Sequence, residues 1–169
     1  VLPPEEEGMM RYEAKNHDDL FERLRILKAI RTGEDCVVIA PVTGAIKRLP
    51  PRDTFDNSAL KMSRGEEIDL EQVKNKLTFM GYERVPIIDG KGQFSIRGSI
   101  IDIFAADGEV PYRIELFDTE IDSIRSFDPD TQRSIENLSY VEVYQAEQIL
   151  KDTELFQRAV IKIRRAYDG

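Results

Sequence analysis

The spacing of hydrophobic positions along this 169-residue chain changes character more than once. The opening LPPEEEGMMRYEAKNH has prolines, a glutamate run and no sustained period, so it reads as an extended connection. From Asp18, the segment DDLFERLRILKAIRTG places Leu20, Leu24 and Leu27 on one helical face. Acidic residues occupy its first turn, basic ones its end, and Gly33 supplies a stop. CVVIAP is a short, continuously apolar, β-branched run, which predicts a strand covered on both faces. A short helix over Thr43 to Leu49 is expected next, ended by Pro50 and Pro51. Helix, buried strand and helix together predict the edge of a parallel α/β layer.

A loop from Arg52 to Asn57 leads to ALKMS, a predicted strand, and RGEE marks a turn. Asp69 then caps a predicted helix, LEQVKNKLTFM, with Gln72 as reciprocal capping partner and Gly81 as the stop. Leu70, Val73, Leu77 and Met80 form its buried stripe. Beyond this helix the period becomes two, through YERVPIID, QFSIRGSIIDIFAA, PYRIELFD, EIDSIRSFD and NLSYVEVYQ. The separators GKG, ADGE, DTE and DPDTQRS are short and rich in turn formers, so the sheet should be mainly antiparallel. From Asp152 a helical period returns through Leu155, Ala159, Ile163 and Tyr167. The fold class expected is α/β: a small α+β domain over 65–150, inserted into another domain made of 1–64 and 151–169.

Composition narrows the function. No run of about 18 apolar residues and no secretory leader is present, which predicts a cytoplasmic protein with no membrane contact. The chain begins at Val1 and ends at Gly169 after a charged helical segment, so it reads as part of a longer protein. Cys36, the single cysteine, lies in the apolar run and is expected to be a buried core thiol. A lone His17 leaves no nitrogen and sulfur ligand set for zinc. A net charge of -8 works against nonspecific attraction to nucleic acid, whose binding draws on clustered Lys and Arg.

Catalytic motifs give little. PVTGAIKRL, the nearest approach to a phosphate loop, has one Gly and no Ser or Thr after its Lys. HExxH, CxxC and GxSxG do not occur. The carboxylates of FDTEID and FDPDTQ are better explained as turn residues than as metal ligands or an acid–base pair. No cofactor and no metal is expected in this chain.

The informative positions lie on strand faces. In PYRIELFD, Ile114 and Leu116 point one way while Arg113, Glu115 and Phe117 point the other. In QFSIRGSIIDIF, Phe94 and Ile96 oppose Arg97, and Gly98 allows a bulge or a close backbone approach. Arg97 and Arg113, read as lying on consecutive strands, are placed to project together. Exposed Arg beside an aromatic is the composition of interface centres, because Arg offers a flat fork of donors and Phe large area at small entropy cost. The pattern alone also allows Phe117 to cover a second small core, with the arginines paired to Glu115 or Asp102.

These same residues carry a resemblance. GYERVPIIDGKGQFSIRGSIIDIFAADGEVPYRIELFDTEIDSIRSFDPDTQRS resembles the second domain shared by the transcription-repair coupling factors and the excision-repair helicase UvrB, with FSIRG, IIDIF, YRIELFD and IDSIRSFDPDTQRS in order. LPPEEEGMMRY, DDLFERLRILKAI and VVIAPVTGAIKRLPP resemble, more loosely, the first domain of the coupling factors. UvrB carries a tyrosine-rich hairpin and a YGLG word where this chain reads EEEGMMRYEAKN and TGAIKRL, and the DTQRS ending is of coupling-factor type. The alternative is the corresponding part of UvrB, contacting DNA as well as UvrA.

The resemblance implies that 1–64 and 151–169 belong to a degenerate, helicase-like α/β first domain and that 65–150 is a UvrA-binding module. It implies a motor using ATP and magnesium elsewhere in the longer protein, RNA polymerase and DNA as partners of other domains, and a C-terminal domain that masks the UvrA-binding face. Residue by residue, the implied UvrA contacts are Arg97, Arg113 and Phe117. Ala105, where a Pro commonly follows the IDIF word, and YQAEQIL depart from the family pattern. Two rivals from other classes are a DNA-binding piece and an enzyme using the Asp-rich turns.

Overall fold

The computed structural model describes residues 17–42 and 59–147. Helix α1 spans His17–Thr32 and stops at Gly33, whose φ of 74° no β-carbon has to endure. Its buried apolar residues are Phe21 and Leu24, with Arg23 buried beside them and Leu20 packed partly against the same core. Phe21 reaches Gly92 so closely that a β-carbon there would lie 2.8 Å from the ring. Lys28 adds an ion pair to Asp107 and stands 4.9 Å over the Tyr144 ring.

The run CVVIAP is not a buried strand. Residues 34–41 form neither helix nor strand, and Val37 and Ile39 are 91% and 64% exposed. Cys36 is likewise exposed, contrary to the expected core thiol. A continuous apolar run marks a segment suited to being covered on both faces but carries no information about what covers it. Among the described residues no strand lies beside this one. The expected helix over 43–49, the loop over 52–57, the opening stretch and the helical period from 152 all lie outside the described residues.

Helix α2 (Leu70–Phe79) follows its local signals closely. Asp69 accepts from the Glu71 and Gln72 amides at 2.8 and 3.4 Å, satisfying donors that the first turn leaves open. Gln72 returns its side-chain amide to the Asp69 carboxylate at 3.3 Å, where a backbone contact was expected. Val73 and Leu77 are its buried face, Met80 caps it, and Gly81 turns the chain away at φ 90°.

Among the described residues the strands form a two-stranded and a six-stranded sheet. The first pairs β1 (Leu60–Ser63) antiparallel with β8 (Tyr140–Val143). The second runs in sequence order through β2 (Glu83–Arg84), β3 (Gln93–Arg97), β4 (Ile100–Phe104), β5 (Tyr112–Phe117), β6 (Glu120–Phe127) and β7 (Ser134–Leu138). All its pairings are antiparallel except β2 with β3.

Two runs read as single strands are each divided. QFSIRGSIIDIFAA is a hairpin whose Arg97 pairs with Ile100 around Gly98 and Ser99. Gly98 supplies φ 61° and a β-carbon there would meet nothing within 4 Å, so the turn uses its conformational freedom and not a close approach. In NLSYVEVYQ the chain leaves one sheet at Leu138 and joins the other at Tyr140.

One face of the six-stranded sheet meets α2 and the β1–β8 pair. Phe94, Ile101, Ile114 and Ile124 from consecutive strands pack with Leu77 and Met62 in a single core. Tyr82 closes this arrangement: its buried hydroxyl donates to the Tyr144 carbonyl at 2.7 Å and accepts from the Ala106 amide at 3.2 Å. Burial pushes its phenol well above the ordinary tyrosine range.

The fold therefore holds Tyr82 neutral, and an unfolded chain releases that proton more readily. This contribution is fully present below about pH 10 and is lost as pH rises beyond it. Urea titration of Tyr82→Phe should show a loss of about 1–3 kcal/mol at pH 7. The variant should also lose stability less steeply than the parent above about pH 10, a residual slope remaining because burial raises Tyr112 and Tyr144 as well.

Candidate functional site

The opposite face of the six-stranded sheet is where the chemistry collects. Antiparallel register puts Ser95, Asp102, Arg113, Arg125 and Asn137 in one row across five strands. The next row holds Arg97, Ile100, Glu115 and Ser123. Alternation within each strand dictates this: Ile96 on β3, Ile101 and Ile103 on β4, and Ile114 and Leu116 on β5 turn to the core, so their strand neighbours must point outward.

Asp102 is the centre of the face. It is 2% exposed on β4, flanked in sequence by core isoleucines, and an ionised carboxylate there needs charged partners. Arg113 grips it with two parallel bonds, Nε to Oδ1 at 2.7 Å and Nη2 to Oδ2 at 2.9 Å. Arg97 reaches from the other side, Nη2 to Oδ2 at 2.7 Å. The Arg113 guanidinium also lies 4.2 Å over the Phe127 ring, and its hydrogen bond to Asp102 raises its pKa further. It therefore stays charged at any pH the protein tolerates.

A second ion pair sits alongside. Arg125 grips Glu115 with both terminal nitrogens, and the Ser123 hydroxyl donates to the same carboxylate at 3.0 Å. Three guanidiniums thus face two carboxylates, a locally positive strip on a chain of net charge -8.

The ends of the face differ. At one end Ile88, Phe104 and Phe127 form a small apolar cluster with Val85 against it. At the other, Phe117 ends β5 and is 79% exposed, paired across the strands with Glu120. The second small core therefore exists without Phe117, whose ring is left to solvent.

Arg97 and Arg113 are brought together, though not as consecutive strands allow: β4 lies between them, and its Asp102 is what joins them. Phe117 stands on the same face, about 13 Å along the strand from Arg113. The Ser99 turn lies beside it, since the Leu116 amide donates to the Ser99 carbonyl at 2.9 Å. Arg97 is the more open of the two arginines, its side chain 46% exposed against 13% for Arg113.

The pairing of the arginines with Asp102, one of the two partners the pattern allows, is the one that forms, whereas the Arg125–Glu115 pair and Gln132, whose Oε1 accepts from Arg113 Nη2 at 2.8 Å, were not singled out by pattern. A carboxylate embedded in IIDIF is a signal for that pairing, because such a strand has no room for an unpaired charge. The Asp-rich turns behave as turns. Asp128 accepts from the Thr131 and Asp130 amides at 2.7 and 3.0 Å, and these bonds hold its carboxyl below the usual range.

The UvrB interaction domain family matches residues 60–148, a span that takes in every strand of both sheets. The chain belongs to this family. It is also 43% identical over 150 residues to the transcription-repair-coupling factor of Staphylococcus aureus strain Mu50, a match covering 89% of this chain and 13% of that protein. With the transcription-repair-coupling factor of Bacillus subtilis strain 168 it shares 42% identity over 142 residues, 84% of this chain and 12% of that protein. The chain thus spans about an eighth of the length of the curated relatives it matches. The face built around Asp102 lies wholly inside the interaction domain.

Removing the anchor should unsettle both arginines at once. Asp102→Ala leaves the partly buried Arg113 without its carboxylate and is expected to cost about 2 kcal/mol in chemical denaturation. Asp102→Asn, which keeps an acceptor, should cost less.

Proposed function

We propose that this UvrB interaction domain recruits UvrA in transcription-coupled nucleotide excision repair, through the sheet face that carries Arg97, Arg113 and Phe117. The observation that supports it is a pair of guanidiniums held side by side by one buried carboxylate, with a ring exposed at the end of the same face. Such a face offers fixed cations to acidic groups on UvrA and an apolar contact beside them. Pre-paired arginines lose little freedom on docking, which favours affinity. The relatives matched are coupling factors, which supports that parentage over UvrB itself.

In the longer protein we place an ATP- and magnesium-dependent motor, and the contacts with RNA polymerase and DNA, in other domains. A C-terminal domain would mask this face until polymerase engagement. The present region is read as non-catalytic, without a cofactor of its own, and as part of a cytoplasmic protein. No helix among the described residues is long and apolar enough to cross a membrane.

Titration calorimetry of UvrA against Arg97→Ala and Phe117→Ala tests the site. Each should weaken binding by about 2 kcal/mol, a thirtyfold loss, with folding intact. Parental affinity in both variants would remove the face from consideration. A DNA-binding role makes the opposite forecast, duplex affinity falling steeply with salt, which the net charge opposes.

A further inference from the structure

We infer that Gln132 is a positioning residue for Arg113, holding that guanidinium in place without cancelling its charge. The inference rests on the proposed UvrA-binding face and concerns how that face is kept ready.

Residues 128–133 join β6 to β7 in a loop closed by its own backbone and by one carboxylate. The Asp128 amide donates to the Arg133 carbonyl at 2.9 Å, and the Gln132 amide donates to the Asp128 carbonyl at 2.8 Å. Asp128 Oδ1 caps the turn through the Thr131 amide and hydroxyl at 2.7 and 3.0 Å. This closure leaves Gln132 at φ 61°, a region that glycine enters freely and asparagine tolerates, but that is costly for a longer side chain. The backbone bonds and the Asp128 carboxylate close the loop without the Gln132 side chain, which adds one bond within it, to the Pro129 carbonyl.

The side chain also serves Arg113. Gln132 Nε2 donates to the Pro129 carbonyl at 2.7 Å, which fixes the amide so that Oε1 faces the arginine and accepts from Nη2 at 2.8 Å. Arg113 is then held from three directions: by Asp102 along one edge, by the Phe127 ring against its flat face, and by the amide oxygen. The choice of amide matters chemically. Asp102 is already shared by two cations, and a carboxylate at 132 would bring the carboxylate count around them level, leaving nothing for an acidic group on a partner. A neutral acceptor orients the guanidinium and leaves the excess positive charge available.

Backbone strain borne by a residue whose side chain supports a site is the pattern expected of a functional constraint. It also separates function from stability in a test. Gln132→Gly relaxes the backbone while deleting the amide, and Gln132→Asn keeps the left-handed conformation with a side chain one methylene too short. UvrA titrations with the full 169-residue chain should show about tenfold weaker binding for both variants, with a melting temperature little changed for the glycine, where relief of the backbone offsets the lost side-chain bonds. Placed on an Arg113→Ala background, the same substitutions should produce no further loss, because Gln132 acts only through that arginine.

Parental affinity in both Gln132 variants overturns the inference, as does an equal loss on the Arg113→Ala background, which would make Gln132 a direct contact. Weakened binding in Arg97→Ala and Phe117→Ala with unaffected Gln132 variants overturns the positioning role alone. Unaffected binding in Arg97→Ala and Phe117→Ala overturns the face and this inference together.

Discussion

One buried carboxylate organises the polar face of the six-stranded sheet. Asp102 sits on β4 with core isoleucines on either side, where an unpaired charge would be several kcal/mol too costly to keep. Its two cationic partners come from the strands on either side of β4. The register among three strands and the placement of two guanidiniums are consequently one fact: a slip of one residue turns Asp102 or an arginine into the core. The sheet is thereby tied to a single alignment, and the site inherits that rigidity without needing a pocket.

The rest of the face follows from what this anchor leaves over. Two arginines on one aspartate carry surplus positive charge, and the Arg125–Glu115 pair beside them is balanced. The strip can be attractive to an acidic partner on a chain that is acidic as a whole, a combination that favours a protein over a nucleic acid. Aromatic rings divide between two duties. Phe127 lies beneath Arg113 and steadies it, whereas Phe117 has no such cover.

Much of this is legible in the sequence because the determining interactions are local. Asp69, the Val73–Leu77 stripe and Gly81 each act within a turn or two of α2, and alternation in YRIELF alone assigns Arg113 and Phe117 to one face. What is not legible depends on neighbours far along the chain. IRGSII looks continuous because a two-residue turn interrupts alternation only briefly, so Arg97 and Arg113 seem adjacent when a strand separates them. Nothing local in LSYVEV announces a change of sheet. CVVIA has the composition of a covered strand, yet burial is a property of the surroundings, and Cys36 and Val37 face solvent here. Gln132 is the extreme case, since a glutamine in a polar turn is unremarkable until its backbone angle and its target are seen.

The pairing of Leu60 with Val143 puts the two ends of the sheet-bearing segment about 5 Å apart. A unit whose ends meet in this way can be grafted into a surface loop of an unrelated host with little loss of loop-closure entropy and no rearrangement of the host's core. The polar face is aligned from within the sheet, while the core beneath it also takes Phe21 and Leu24 from α1 and Tyr144 and Ala146 beyond β8, so a transplant carries these along.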